Sequence, residues 1–168
     1  MTIRIPMPKD EDLSPKLKEY MDSLPPLNLF RMLCNAPASA KAFNRMGGSI
    51  LQKSEFDPRK REIAVLRVAH VTRASYEWHH HVAVGKRVGV TDEEIEKIAC
   101  EGPVETLDEE GNLLCRVADE ITLNVRLSDE ALAQILQATE LILCCCWFNL
   151  VSRFLESTRV EIEEEQAT

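Results

Sequence analysis

Six side chains able to move protons crowd one stretch of this 168-residue sequence. Between Arg59 and Val90 lie His70, His79, His80 and His81, which are all of its histidines, together with Glu62 and Glu77. A histidine held between carboxylates in an apolar setting is a proton-transfer arrangement. The carboxylates favour the imidazolium, while burial favours the neutral carboxylic acids. What decides the matter is which of these residues face the protein interior.

Helical geometry answers that for 74–88. Advancing ~100° per residue from Glu77 puts Val84, Val88, Gly85, Trp78 and Val82 on an arc centred near 60°. Glu77 and His81 fall inside this arc, four residues apart. His79 falls with Lys86 on the opposite, solvent side, and His80 lies at the border beside Arg87. The preceding helix sets Glu62 among Val65, Leu66 and Ala69. The connection between the two helices is short, so an antiparallel hairpin would let Glu62, Glu77 and His81 converge. The same cluster also fits a plain structural bond bracing the hairpin. Glu77 with His80 has the i, i+3 spacing of a di-iron ligand pair. A di-iron bundle needs a second such pair, and His70 has no glutamate three residues before it. No metal is expected. Trp78 reads as an apolar anchor. Arg67, on a helix apolar nearly all round, reads as either a substrate-carboxylate ligand or the partner of a protein acid.

The elements that must position these residues are helical. Sustained period-2 alternation is absent and aromatic residues make only 5%. Start signals stand at Ser14-Pro15, Pro37, Asp57-Pro58, Thr91 to Glu94 and Ser128 to Glu130. They predict helices from Ser14 to the Pro25-Pro26 stop, a turn over 27–35, and helices over 37–52, 57–72, 74–89 and 91–100. Further helices are expected over 108–125, 128–139 and 140–158. Residues 1–13 read as an extended arm and 160–168 as a solvated acidic tail, both attached to a single domain.

The balance of 20 basic and 28 acidic side chains, a net charge of -8, argues against a nucleic-acid partner. The six cysteines include no C-x-x-C pair, and the adjacent Cys144, Cys145 and Cys146 point ~100° apart on a helix. They read as small reduced core residues. Met1 to Asp10 has no apolar leader character, and the run Leu141 to Leu150 is interrupted by Asn149, short of the ~20 residues that span a bilayer. A cytoplasmic protein without a membrane partner is expected.

Residues 57–95, DPRKREIAVLRVAHVTRASYEWHHHVAVGKRVGVTDEEI, resemble the carboxymuconolactone decarboxylase family. Arg61-Glu62, Tyr76-Glu77-Trp78, His80-His81, Gly89 and Thr91 to Glu94 carry the likeness. It implies an all-α, alkylhydroperoxidase D-like fold with a central antiparallel helix hairpin, assembled as trimers or hexamers. It also implies one of two chemistries. The peroxidase branch needs a C-x-x-C pair beside the glutamate and histidine matched by Glu62 and His81. Its cysteine positions fall on Ala74 and Glu77, so the dithiol is absent and that activity is disfavoured. The other branch is a cofactor-free lyase, decarboxylating a carboxylated lactone or related small acid. There His81, Glu62 and Glu77 would be catalytic. Tyr76, Trp78, His80 and an arginine, Arg67 or Arg73, would bind the small-molecule carboxylate. A non-catalytic oligomeric protein stays open as the third reading.

Overall fold

Local capping chemistry sets most element boundaries in the computed structural model, which describes residues 4–135 and 137–164. Ser14 accepts a hydrogen bond from the Leu17 amide and starts α1 (Pro15–Asp22), with proline at its first position. Then come α2 (Asn28–Leu33) and α3 (Pro37–Gln52). Asp57 caps α4 (Pro58–Val71), and a Thr91–Glu94 capping box opens α6 (Asp92–Ile98) after α5 (Ser75–Arg87). Asp108 and Ser128 cap α7 (Glu109–Asn124) and α8 (Asp129–Gln134), and α9 (Ala138–Thr158) closes the order. Among the described residues the fold is all-α, with one 3-10 turn at Asp10–Asp12 and no strand.

Helix α4 is the axle. Every residue from Arg61 to Ala69 is buried, because α5, α6, α7 and α9 all pack against it. The α4–α5 hairpin turns through Thr72 to Ala74, where Arg73 takes a left-handed conformation (φ 56°) and the Ala74 amide returns to the Ala69 carbonyl at 2.9 Å. Gly85 permits the close approach of the two helices: a Cβ there would stand 3.3 Å from Leu66 Cδ1. Leu141, Cys144, Cys145, Phe148, Val151 and Leu155 form the inward face of α9, while Cys146 is exposed. By length and composition alone α9 could cross a membrane, but half of its most apolar stretch is buried in the fold.

Three expectations are corrected. Helix α8 stops at Gln134: Ile135 is extended and packs on the core, and Gln137 turns left-handed before α9 begins at Ala138. The arm is not extended throughout, since Asp10–Asp12 forms a 3-10 turn, and it is held to the body where Asn35 bonds the Pro6 carbonyl (3.1 Å) and Arg31 holds Pro8 and Asp10. The described part of the acidic tail is not simply solvated either. Glu161 pairs with Arg4, and Glu163 enters the network described below. Residues 1–3 of the expected arm and 165–168 of the expected tail lie outside the described residues.

Candidate active site

The start of α4 at Pro58 places Glu62 one turn in, and the start of α5 at Ser75 places Glu77 in its first turn and His81 one turn later. The hairpin brings all three together. His81 Nδ1 lies 2.6 Å from Glu62 Oε2, and His81 Nε2 lies 3.5 Å from Glu77 Oε2. The Phe148 ring stands edge-on to the imidazole, with centroids 4.8 Å apart. On the far side of Glu62, Arg61 Nε is 3.6 Å from Oε1. Glu62 is completely buried, and Glu77 and His81 are buried with it.

The electrostatics follow from that packing. Burial alone disfavours the His81 imidazolium, but the Glu62 bond and the charges of Glu62 and Glu77 outweigh it and raise the histidine's pKa. Burial also raises the Glu77 pKa, only partly offset by His81, and Glu77 Oε2 has no hydrogen-bond partner. Both groups therefore hold a proton to higher pH than they ordinarily would.

This pair opens on a cavity of about 270 Å³. Its walls are mainly apolar, with Phe30, Phe43, Trp147 and Phe148 among them, and Asn44, Tyr76 and His80 are further polar groups on it. Asn44 Nδ2 donates to the Tyr20 hydroxyl at 2.9 Å, leaving Oδ1 buried and unpartnered. Tyr76 and His80 are held from behind by Glu163. The Tyr76 hydroxyl donates to Glu163 Oε1 (2.6 Å), His80 Nε2 lies 2.9 Å from Oε2, and the Asn28 amide donates to Oε1 (2.5 Å). Burial lowers the His80 pKa despite the Glu163 contact.

Not every expected site residue arrives here. Trp78 and Arg73 line a separate open groove with His70 and His79. Glu77 and His80 make divergent contacts, with His81 and Glu163 respectively. Arg67 is engaged elsewhere. Its Nε and Nη2 bond both oxygens of Asp119 (2.6 and 3.0 Å). Nη1 donates to the Ile98 and Cys100 carbonyls (2.9 and 2.8 Å), and Nη2 also reaches the Gly102 carbonyl. With all five N–H groups committed, Arg67 ties α4 to α7 and to the chain after α6 rather than offering a substrate ligand.

Residues 37–100, which contain this hairpin and most of the cavity's α3 wall, match the carboxymuconolactone decarboxylase family. The match is confined to that segment. No curated protein matches the sequence. Two solved structures share the fold of the whole chain. One is an uncharacterized peroxidase-related protein from Silicibacter sp. TM1040 (TM-score 0.77, 16% identity, covering 95% of this chain and 90% of that one). The other is the alkylhydroperoxidase AhpD core of an uncharacterized peroxidase-related protein from Ralstonia eutropha JMP134 (TM-score 0.79, 14% identity, covering 96% and 93%). At these identities the likeness concerns the fold.

Ala74 and Glu77 stand at the two positions where the resemblance placed the redox cysteines. Burial pushes the Cys115 and Cys144 thiols up to about 12, and raises Cys34 and Cys145 as well. Such thiols are poor nucleophiles. The structure adds Arg61, Asn44, Phe148 and Glu163 to the residues around the site. The sequence held a signal only for Arg61, a charge beside Glu62 on a helix apolar on every side. The partners of Glu163 are 83 to 135 positions away and leave no local trace.

Proposed function

We propose that this chain is a cofactor-free acid–base lyase of the carboxymuconolactone decarboxylase type, removing CO2 from a small carboxylated lactone or related acid. One observation carries the reading: a buried histidine, bracketed by Glu62 and Glu77, at an apolar cavity with no cysteine pair. The bond from carbon to the carboxylate breaks, and its electron pair passes into the neighbouring carbonyl as an enolate. The carbon then takes a proton from His81 Nε2, and solvent restores that proton to the imidazole. Glu62 orients and charges the ring, and Glu77 Oε2 stands 3.5 Å from Nε2, where the proton is delivered. A water-poor cavity strengthens these interactions.

Among the described residues, the basic side chains on the cavity wall are His80 and His81, with no lysine or arginine beside them. That favours a substrate presenting one carboxylate, not two, to the imidazolium. Self-association into trimers or hexamers belongs to the same reading, supported by Leu143 and Leu150 standing half exposed on α9. Sedimentation would test it.

The decisive experiment is a panel of carboxylated lactones and β-keto acids assayed for CO2 release, in deuterated solvent. Turnover should place deuterium on the product carbon and should decline on the alkaline side, as His81 loses its proton above its ordinary value of 6.5. His81→Ala should lower the rate by ~10²–10⁴-fold with the fold intact. Full activity in that variant sinks the proposal. Thiol-dependent peroxide consumption, lost when all six cysteines are replaced, would favour the peroxidase branch instead.

A further inference from the structure

Arg61 is buried without adequate partners. Only 7% of its side chain is exposed, yet no hydrogen bond to another described residue uses its guanidinium. Its ion pair with Glu62 spans 3.6 Å, too long for a hydrogen bond, and Nε is left unpartnered. Arg67, six residues along the same helix, shows what a satisfied buried arginine looks like here. A buried guanidinium whose charge meets one carboxylate at 3.6 Å is costly unless something else meets it.

The space beside Arg61 is suited to that. Arg61 lines a cavity of about 300 Å³ with Ser49, Lys53, Ser54, Glu140 and Cys144, and this cavity shares no lining residue with the His81 cavity. Glu140 does not serve as the counter-ion. Its Oε1 is occupied by the Ser54 hydroxyl (3.0 Å) and the Glu55 amide (3.2 Å), and Lys53 lines the same cavity. Glu62 is one carboxylate between two cations, since His81 favours its protonated form.

We propose that this rear cavity binds a small planar carboxylate-type anion, of the class of acetate, formate or bicarbonate, in the fork of Arg61 behind Glu62. A guanidinium offers two parallel N–H donors matched to two oxygens of such an anion. Ser49 and Lys53 add donors at the cavity's outer end. The site does not depend on the lyase reading, because occupancy needs no turnover.

The test is titration of the whole protein with acetate, bicarbonate and phosphate at constant ionic strength in chloride, followed by amide and Arg61 Nε–H nuclear magnetic resonance shifts. Saturable shifts at Ser49, Ser54 and Arg61 are expected, tighter for the planar anions than for phosphate. Arg61→Gln should weaken binding at least tenfold. That change also unbalances Glu62, so Ser49→Leu supplies a variant that narrows the cavity and leaves the buried charges in place. It too should weaken binding at least tenfold. Gly48→Leu, where an added side chain meets open space beside the front cavity, should bind the anion as the wild type does. The absence of saturable shifts in the wild type overturns the proposal. So does binding that survives Ser49→Leu but is lost in Gly48→Leu, because the anion would then sit at His81.

Discussion

Glutamine at position 62 keeps the shape of the side chain and removes the one negative charge lying between Arg61 and His81. Two unit charges ~4 Å apart interact by about 4 kcal/mol at an effective dielectric near 20. Breaking a buried pair costs about 3–5 kcal/mol, because the surviving charge stays buried. Glu62→Gln should therefore lose about 3–5 kcal/mol at pH 7, where Arg61 remains charged. A second consequence concerns pH. His81 has a raised pKa in the folded state, so its contribution is fully present below the unfolded value of 6.5 and is lost as pH rises through the folded one. The raised Glu77 acts with the same sign, since folding favours its neutral form. His80, lowered by burial, opposes them, but only below 6.5. Above that value the wild type should lose stability with rising pH, by up to about 1.4 kcal/mol per unit for each extra proton held. The slope should flatten in Glu62→Gln, which lacks the charged acceptor that raises His81. Urea unfolding at about pH 6.5, 7.5 and 8.5 reads both effects. A variant within about 1 kcal/mol of the wild type, or one with an unchanged slope, would refute the reasoning.

Arg67→Met should cost about 3–5 kcal/mol, leaving Asp119 and three carbonyls without their donor. Thermal unfolding should drop by roughly 6–20 °C, with KM unchanged well below the transition; a selective rise in KM at normal stability would return Arg67 to the substrate. Glu163→Ala should cost about 1–3 kcal/mol by releasing Tyr76, His80 and the Asn28 amide. Faster hydrogen exchange over 28–33 and a KM that rises more than kcat falls are the expected readouts. Val125 is 87% exposed and ends α7 in a left-handed conformation (φ 68°), which strains a β-branched residue. Val125→Gly should stabilise by about 0.5–1 kcal/mol in urea unfolding, strain relief exceeding the added chain entropy.

What the sequence made legible was local. Asp57, Thr91 and Ser128 cap the amides three residues after them, so the type and spacing of neighbouring residues are the whole cause. The phase of α5 was legible for the same reason: four residues make little more than one turn, and Glu77 and His81 could not avoid sharing a face. The end of α8 was not, because Ile135 leaves the helix to reach a core assembled from distant segments. The acidic tail misled for the same reason. Composition describes Glu161 and Glu163 well, but their partners Arg4, Asn28, Tyr76 and His80 come from the other end of the chain and from α5.

The arginines of α4 show where pattern reading must stop. A helix buried on every side gives periodicity nothing to separate, so Arg61 and Arg67 are equivalent in the sequence: two cations on an apolar rod. Only the packed neighbours distinguish them. Arg67 meets Asp119, the last carbonyl of α6 and two carbonyls that follow it, and is consumed by structure. Arg61 meets half of one carboxylate and a void. Neither reaches the cavity beside His81, whose own charge therefore has to answer for whatever acid enters. In the proposed lyase reaction, that ties substrate binding and proton delivery to the same imidazolium. Both should then weaken together as pH rises through the His81 transition, and a substrate whose KM stays flat while kcat falls would require a cation from somewhere else.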